Sequence, residues 1–308
     1  MNQPLVSVII PNYNHARYLE QRLDSVFNQT YQNFEVIILD DHSTDNSLGE
    51  IDHYKDNPHL SQIVVNEKNS GSTFKQWDKG IHLAQGEIIW IAESDDYCEL
   101  NMLEELVKAY TIHPNIVLAY STSIMVDENG EKGSVSKYSW ECKVFNSRSY
   151  LTKFLAYGCT IRNASSAIFS KQVALNVSPT YMSFRGSGDY MFWAEIVSQG
   201  SVAIVDKQMN SCRRSIGTVT NKNYISGNMA AEDMKVYEYI SSLFPRNYFQ
   251  HRLIFASHAS QYRGVPFESQ EAKEKCFQIW QIEKHSSSFD KLLLWIRSKL
   301  RIYLNIYI

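Results

Sequence analysis

Three carboxylates close a single apolar run: Ile88-Ile-Trp-Ile-Ala is followed at once by Glu93, Ser94, Asp95, Asp96 and Tyr97. A short run of that composition reads as a strand buried on both faces. Carboxylates at the tip of such a strand lose hydration, at a cost of several kcal/mol each by order of magnitude unless positive charge offsets it. A divalent cation carrying phosphates is the usual source of that charge, since Mg²⁺ takes one or two protein carboxylates and completes its shell with substrate phosphates. The plainer alternative is a solvated acidic turn ahead of a helix over Asn101 to Tyr110, where acids offset the helix dipole. Another acid, Asp189, stands between the glycine-punctuated segment Ser183-Phe-Arg-Gly-Ser-Gly and the apolar stretch Tyr190 to Val197. Taken alone it reads as an N-terminal cap.

The elements that must position these groups follow from the pattern upstream. Leu5 to Ile10, rich in β-branched residues, ends at Pro11-Asn-Tyr-Asn14, and Tyr18, Leu19, Leu23, Val26 and Phe27 then share one helical side. Phe34 to Leu39 repeats the strand signature and ends at Asp40-Asp41, with a helix starting near Asn46. Ile63 to Val65 leads through Asn69-Ser-Gly-Ser72 into a helix over about Thr73 to Ala84. Strands alternating with helices imply right-handed crossovers and a mostly parallel sheet over roughly the first 120 residues. In such a sheet the polar residues after each strand lie along one edge: Asn12 and Asn14, Asp40 and Asp41, Ser70 and Ser72, Asp95 and Asp96. A nucleotide fits that edge, one carboxylate binding base or ribose and another holding a metal on the diphosphate. Pro11 to Ala16 lacks the glycines of a dinucleotide fingerprint, and the G-x-x-x-x-G-K-[ST] phosphate loop is missing.

The chain of 308 residues is 44% hydrophobic and 20% charged, enough for one large α/β domain with an appendage or for two domains. With 30 basic and 33 acidic residues its net charge is -3, which argues against a nucleic-acid partner. Five scattered cysteines, none spaced C-x-x-C, argue against a disulfide framework or a zinc site and suit a reducing compartment. A strand begins almost at the N-terminus and no run of about 18 apolar residues occurs, so neither a signal peptide nor a spanning helix is expected.

Beyond Tyr120 the pattern predicts a strand at Ile124 to Val126 entering a turn at Asp127-Glu-Asn-Gly130, a helix over Ser147 to Tyr157, and a short strand at Ala167 to Phe169. Val202 to Val205 and Met209 to Cys212 read as a closing hairpin. Arg213-Arg214 and Gly217-Thr-Val-Thr220 read as a polar flap.

These motifs, in this order, resemble the inverting glycosyltransferases of family 2. The resemblance rests on Val6-Ser-Val-Ile-Ile-Pro-Asn-Tyr-Asn14, Ser25-Val-Phe-Asn-Gln-Thr-Tyr31, Phe34-Glu-Val-Ile-Ile-Leu-Asp-Asp41, Gly86-Glu-Ile-Ile-Trp-Ile-Ala-Glu-Ser-Asp-Asp96 and Gly188-Asp-Tyr-Met-Phe-Trp193, and covers about residues 4 to 220. It implies an α/β fold of GT-A type, with a mostly parallel nucleotide-binding sheet flanked by helices. It further implies that Pro11, Tyr13 and Asp41 surround the base and ribose of a nucleotide-sugar, UDP being the commonest carrier. Asp95 and Asp96 match the DXD-type element, Asp96 being the expected direct contact to Mg²⁺ or Mn²⁺. Glu93 stands where many relatives have aspartate. Asp189 aligns with the catalytic base. Arg213, Arg214 and Lys75 are candidates for the diphosphate, whereas Ser215 replaces the histidine that relatives carry near the paired arginines. The expected division is 1–222 for the GT-A domain, 223–288 for a helical appendage and 289–308 for a tail helix.

That appendage carries helical patterns at Met229 to Leu243, Phe249 to Tyr262 and Glu268 to Lys284. In the tail, Leu292, Ile296, Leu300, Tyr303 and Tyr307 share a face, while Lys291, Arg297, Lys299 and Arg301 fall mostly opposite, with one acidic residue in the segment. A basic amphipathic helix suits an anionic membrane surface, and equally a face packed on protein. The sequence therefore points to a cytoplasmic, metal-dependent sugar transferase, peripheral on the inner face of the cell membrane, with a glycan or lipid-linked acceptor. Two alternatives are a non-catalytic nucleotide-binding module that docks on membranes and a sugar nucleotidyltransferase. The latter would carry a glycine-rich, arginine-containing loop after the first strand, where Pro11-Asn-Tyr-Asn14 stands instead.

Overall fold

The computed structural model describes residues 3–131, 142–214, 219–285 and 287–304. In chain order its main elements are β1 (Val6–Asn12), α1 (Ala16–Phe27), β2 (Phe34–Asp40), α2 (Ser47–Asp52), β3 (Leu60–Val65), α3 (Thr73–Leu83), β4 (Ile88–Ile91), β5 (Tyr97–Cys98), α4 (Met102–Tyr110), β6 (Ile116–Val126) and β7 (Cys142–Phe145). They continue with α5 (Ser147–Lys153), β8 (Ala167–Ser170), α6 (Lys171–Ala174), α7 (Gly188–Ser198), β9 (Ser201–Arg213), α8 (Val219–Ile225), α9 (Asn228–Leu243), α10 (Tyr248–Tyr262), α11 (Gln270–Ile279) and α12 (Ser288–Leu304). The chain packs as two compact units. One comprises Met1–Phe145, Ile161–Ser178 and Gln199–Ser215; the other comprises Asn146–Thr160, Pro179–Ser198 and Ile216–Ile308.

The first unit holds a sheet in the order β3-β2-β1-β4-β8-β6-β9-β5, with β7 also paired to β9. The pairs β1–β2, β1–β4 and β2–β3 are parallel, as the alternation of strands and helices predicts. Every residue of β1, β2 and β4 is buried, consistent with continuous apolar runs covered on both faces. Beneath them Leu19, Leu23 and Val26 of α1 and Leu103 and Leu106 of α4 join Val8, Val36 and Trp90 in one core. Gly86 is needed at the entry to β4, since a Cβ there would lie 2.6 Å from the Leu5 carbonyl oxygen. From β1 the chain runs outward through β2 and β3, then returns through α3 to β4 on the opposite side of β1. The carboxyl ends of β1 and β4 therefore flank a topological switch point, where open α/β sheets bind ligands.

The other half of the sheet is mixed: β4–β8 and β6–β8 are antiparallel and β6–β9 parallel. The expected hairpin at 202–212 is instead one strand, β9, running alongside β6. Asp206, Lys207 and Gln208 form no turn. Val205 pairs with Ser121 and Gln208 with Thr122, so the extra residues are absorbed as a bulge whose Lys207 carbonyl accepts the Thr122 hydroxyl at 2.8 Å. The strand expected at 124–126 is the end of the longer β6. Residues 215–218, including Ser215 and half of the expected flap, lie outside the described residues.

The second unit is helical. Helix α7 is apolar on all sides and almost wholly buried, including Tyr190, Met191, Phe192 and Trp193. Trp280, fully buried, stacks on His258 at 3.8 Å and donates its indole N–H to the Ala230 carbonyl. Helix α12 is anchored by Asp290, buried and paired with Arg252 at 2.8 Å, and by Arg297, which donates to the Lys153 carbonyl and lies 3.5 Å over the Tyr157 ring. Among the described residues no helix is long and apolar enough to cross a membrane.

Candidate active site

The acidic turn after β4 is built by groups from four segments of the first unit. Asp96 is 2% exposed. Its Oδ2 accepts the Ser165 hydroxyl at 2.6 Å and the Asn163 amide at 2.8 Å, and its Oδ1 accepts the Arg213 backbone N–H at 2.9 Å. Arg22, on the buried face of α1 and fully enclosed, places Nη2 3.8 Å from Asp96 Oδ2 and donates Nε–H to the Glu93 carbonyl. Asp96, expected to meet a metal directly, thus has both oxygens occupied by protein donors. Asp95 keeps a partly exposed carboxylate that no neighbouring side chain occupies among the described residues. Glu93 Oε1 accepts the Trp77 indole N–H at 2.8 Å.

Burial is the main force on all three acids, and Arg22 offsets only part of it. Loss of hydration, reinforced by the charge of Asp95, pushes Glu93 up to about 8 and Asp96 up to about 6. Asp95 is raised for the same first reason, against the attraction of Arg22 and Arg213. A cluster held above its ordinary range in this way carries unmet demand for positive charge. His15, at the start of α1, lies 2.8 Å from the Ser94 hydroxyl, and burial lowers its pKa.

The other strand ends hold the expected nucleotide-binding residues with differing freedom. Pro11 is buried in β1 opposite Leu39, while Tyr13 just beyond is 44% exposed. Asp41 is buried and accepts four donors: Asn66 Nδ2, Gln76 Nε2, and the backbone N–H and hydroxyl of Ser70. It fixes the loop before α3 as well as the strand end. The neighbouring His42 adopts φ +66°, a left-handed backbone uncommon outside glycine and asparagine, with its ring against the Asn66 carbonyl. Lys75 donates to the Ser70 carbonyl at 3.1 Å. Arg213 does not extend outward: its guanidinium donates to the carbonyls of Asp95 and Glu128 and to Gln21, and lies 4.4 Å over the Tyr18 ring. Arg214 is exposed.

Asp189 lies in the second unit, in the first turn of α7. Its Oδ1 accepts the Tyr190 N–H at 2.8 Å, while Oδ2 accepts no bond among the described residues. Burial pushes its pKa up to about 7, with the charges of Asp233 and Glu232 adding to the shift and the Tyr190 N–H opposing it.

The sequence profile of Glycosyl transferase family 2 matches residues 7–175, more than half of the chain and the whole run from β1 to the acidic turn and beyond. The chain belongs to glycosyl transferase family 2. It is 42% identical over 103 residues to the glycosyltransferase GlyG of Streptococcus pneumoniae, an alignment covering 33% of this chain and 34% of that protein. It is 33% identical over 132 residues to an uncharacterized glycosyltransferase of Haemophilus influenzae, covering 43% and 52% respectively. The chain thus spans about a third and about half the length of these two relatives. Among solved structures, residues 1–349 of S. aureus TarS in complex with UDP-GlcNAc superpose with a TM-score of 0.70 at 20% identity, covering 96% of this chain and 85% of that one. The mannosyltransferase PcManGT of Pyrobaculum calidifontis, in complex with GDP-Man and Mn²⁺, gives 0.57 at 18% identity, with 98% and 81% covered. The fold is the GT-A type that the motifs imply.

GT-A members of this family commonly use a divalent metal, and the acidic turn fits one in a particular way. No group of three or more His, Cys, Asp or Glu residues that could hold an ion occurs among the described residues. One or two carboxylates suffice where substrate phosphates complete the shell, and Asp95 with Glu93 beside it meets that requirement. Three groups of this site escape the sequence motifs. Asn163 and Ser165 come from an irregular segment with no pattern of its own. Arg22 does leave a signal: it occupies an apolar position of α1, between Leu19 and Leu23, where a charge is out of place unless it has a partner.

Proposed function

We propose that this family 2 member moves a sugar from a nucleotide-sugar, UDP-linked, to a hydroxyl of a glycan or lipid-linked acceptor, with inversion at the anomeric carbon. The observation that carries this reading is the acidic cluster of Glu93, Asp95 and Asp96 at the switch point between β1 and β4, which the buried Arg22 compensates only in part. Tyr13 and Asp41 border the nucleoside and Asp95 faces the diphosphate, while Asp96 and Arg22 hold the turn in shape from beneath. When bound, Mg²⁺ or Mn²⁺ supplies a Lewis acid that neutralises charge on the departing diphosphate. Asp189 takes the proton of the acceptor hydroxyl as that oxygen attacks the face opposite the leaving group, where positive charge develops at the anomeric carbon. A carboxylate with a pKa near 7 is suited to that task at neutral pH, because half of it is ionised and it is still basic enough to hold a proton.

The nucleotide-sugars bound by TarS and PcManGT, and relatives named chondroitin synthase in Pasteurella multocida and Escherichia coli, support a role in building a polysaccharide. In this reading the protein works in the cytoplasm, in peripheral contact with an anionic membrane through residues 289–308. The test is thermal stability in the presence of UDP-, GDP- and dTDP-sugars, with and without Mn²⁺. A ligand at 100 times its Kd stabilises the fold by about 2.7 kcal/mol. The reading expects a metal-dependent rise in Tm with a UDP-sugar, lost in Asp95→Asn. A flat response to every donor with metal present defeats it.

A further inference from the structure

The tail helix turns an apolar row away from its own unit. In α12, Phe289, Leu292, Trp295 and Ile296 are 53, 50, 58 and 38% exposed, at spacings that stack them along one side of the helix. The row continues onto α10: Arg252 lies 5.2 Å over the Phe289 ring, and one helical turn before it Tyr248 is 76% exposed. Apolar side chains gathered like this on two adjacent helices mark an interaction surface rather than scattered exposure.

Charge identifies the occupant. The one acid of the segment, Asp290, is buried and consumed by Arg252, which also fixes the rotation of α12. Exposed Lys291 flanks the row, and the Lys299 ammonium lies 5.7 Å over the Trp295 ring. A second copy of the chain docked on this face would bring lysines toward lysines with no acid in the row to answer them. We infer that the row of α12 and Tyr248 of α10 together form a surface that seats the protein on an anionic lipid bilayer, the aromatic rings entering the headgroup layer and the lysines meeting lipid phosphates. The inference rests on the peripheral-membrane part of the reading above and names its chemistry: an acidic headgroup, with no helix crossing.

The full chain is floated with vesicles of phosphatidylcholine alone and of phosphatidylcholine with phosphatidylglycerol. Binding is expected on the anionic vesicles, weakened roughly tenfold or more by Leu292→Ser with Trp295→Ser, and about fivefold by Lys291→Gln, as for the loss of about 1 kcal/mol per basic residue. All three positions are exposed, so an unchanged melting curve confirms that the variants fold. Equal binding to both vesicle types, unaltered binding by the variants, or a dimer in sedimentation velocity that Leu292→Ser with Trp295→Ser dissolves would each overturn the inference. Donor-induced stabilisation, measured without lipid on the same variants, is expected to be unaffected. Its absence in the unmodified chain would count against the transferase reading and leave the lipid result standing.

Discussion

Glu232 Oε2 accepts the backbone N–H of Ser187 at 2.8 Å, two residues before Asp189. The same carboxylate accepts the N–H of Gly186 at 2.9 Å and that of Arg185 at 2.8 Å, so one side chain of α9 gathers three successive amides of the segment leading into α7. Next to it Asp233, buried, accepts the hydroxyls of Ser187 and Tyr262, each at 2.6 Å. A carboxylate seated on consecutive N–H groups is a strong anchor. Glu232→Ala leaves three donors without their partner and is expected to cost about 1–3 kcal/mol. Because it loosens the approach to Asp189, it should also lower kcat by about tenfold while donor KM stays constant, as expected when positioning fails. Glu232→Gln retains one acceptor oxygen and should recover part of both effects; urea melts and steady-state kinetics read them separately.

Asp189→Asn keeps the size of the side chain and removes the proposed base. Transfer should fall by roughly two orders of magnitude or more, with donor binding intact. A purified variant with wild-type turnover would show that another group takes the proton.

The pKa of Asp189 gives two pH dependences of opposite sense. Pushed up to about 7, mainly by burial and further by the facing acids Asp233 and Glu232, it leaves transfer rising tenfold per pH unit below that value and level above it. Stability runs the other way. The folded pKa lies above the ordinary value of 3.8, so the fold favours the protonated acid; that contribution is complete below about pH 4 and is lost as pH climbs through 7. Asp189→Asn should flatten this fall and be more stable than the parent chain at pH 8, which urea melts at pH 5 and pH 8 will check.

Asp95 and Asp96 adjoin in sequence but should respond differently to the same change. Asp96→Asn keeps one acceptor oxygen, so it faces an NH2 either toward the Ser165 and Asn163 donors or toward the Arg213 N–H, and it leaves Arg22 as a buried charge without its counterpart; a loss of about 3–5 kcal/mol is expected. Asp95→Asn relieves repulsion on Glu93 and Asp96 and should leave the melting temperature level or higher. It should, however, weaken metal-dependent donor binding at least tenfold. Melting curves with and without Mn²⁺ and a UDP-sugar distinguish the two; equal destabilisation by both would show that Asp96 has no special structural part.

The parallel half of the sheet was legible from residue order because each of its strands is a β-branched run buried on both faces, bounded by a polar turn. The acidic ending of β4 was legible for the same reason: charge at the tip of a core strand needs an explanation wherever the chain goes next. The antiparallel half was less so. Asp206-Lys207-Gln208 has the composition of a turn, and only the partner strand β6 decides that these residues bulge within a single strand.

The motifs alone determine membership of the family, the strand-end line of polar residues and the identity of the acids. Folding decides which of two neighbouring aspartates is consumed by protein donors, because Asn163, Ser165 and the Arg213 amide converge on Asp96 from segments 67 to 117 residues away. It also decides that Arg213 is spent on carbonyls, that Arg22 is the buried cation, and that Glu232 anchors the segment before Asp189. Such pairings depend on distances in space between groups far apart along the chain, and local spacing along a sequence carries no measure of them.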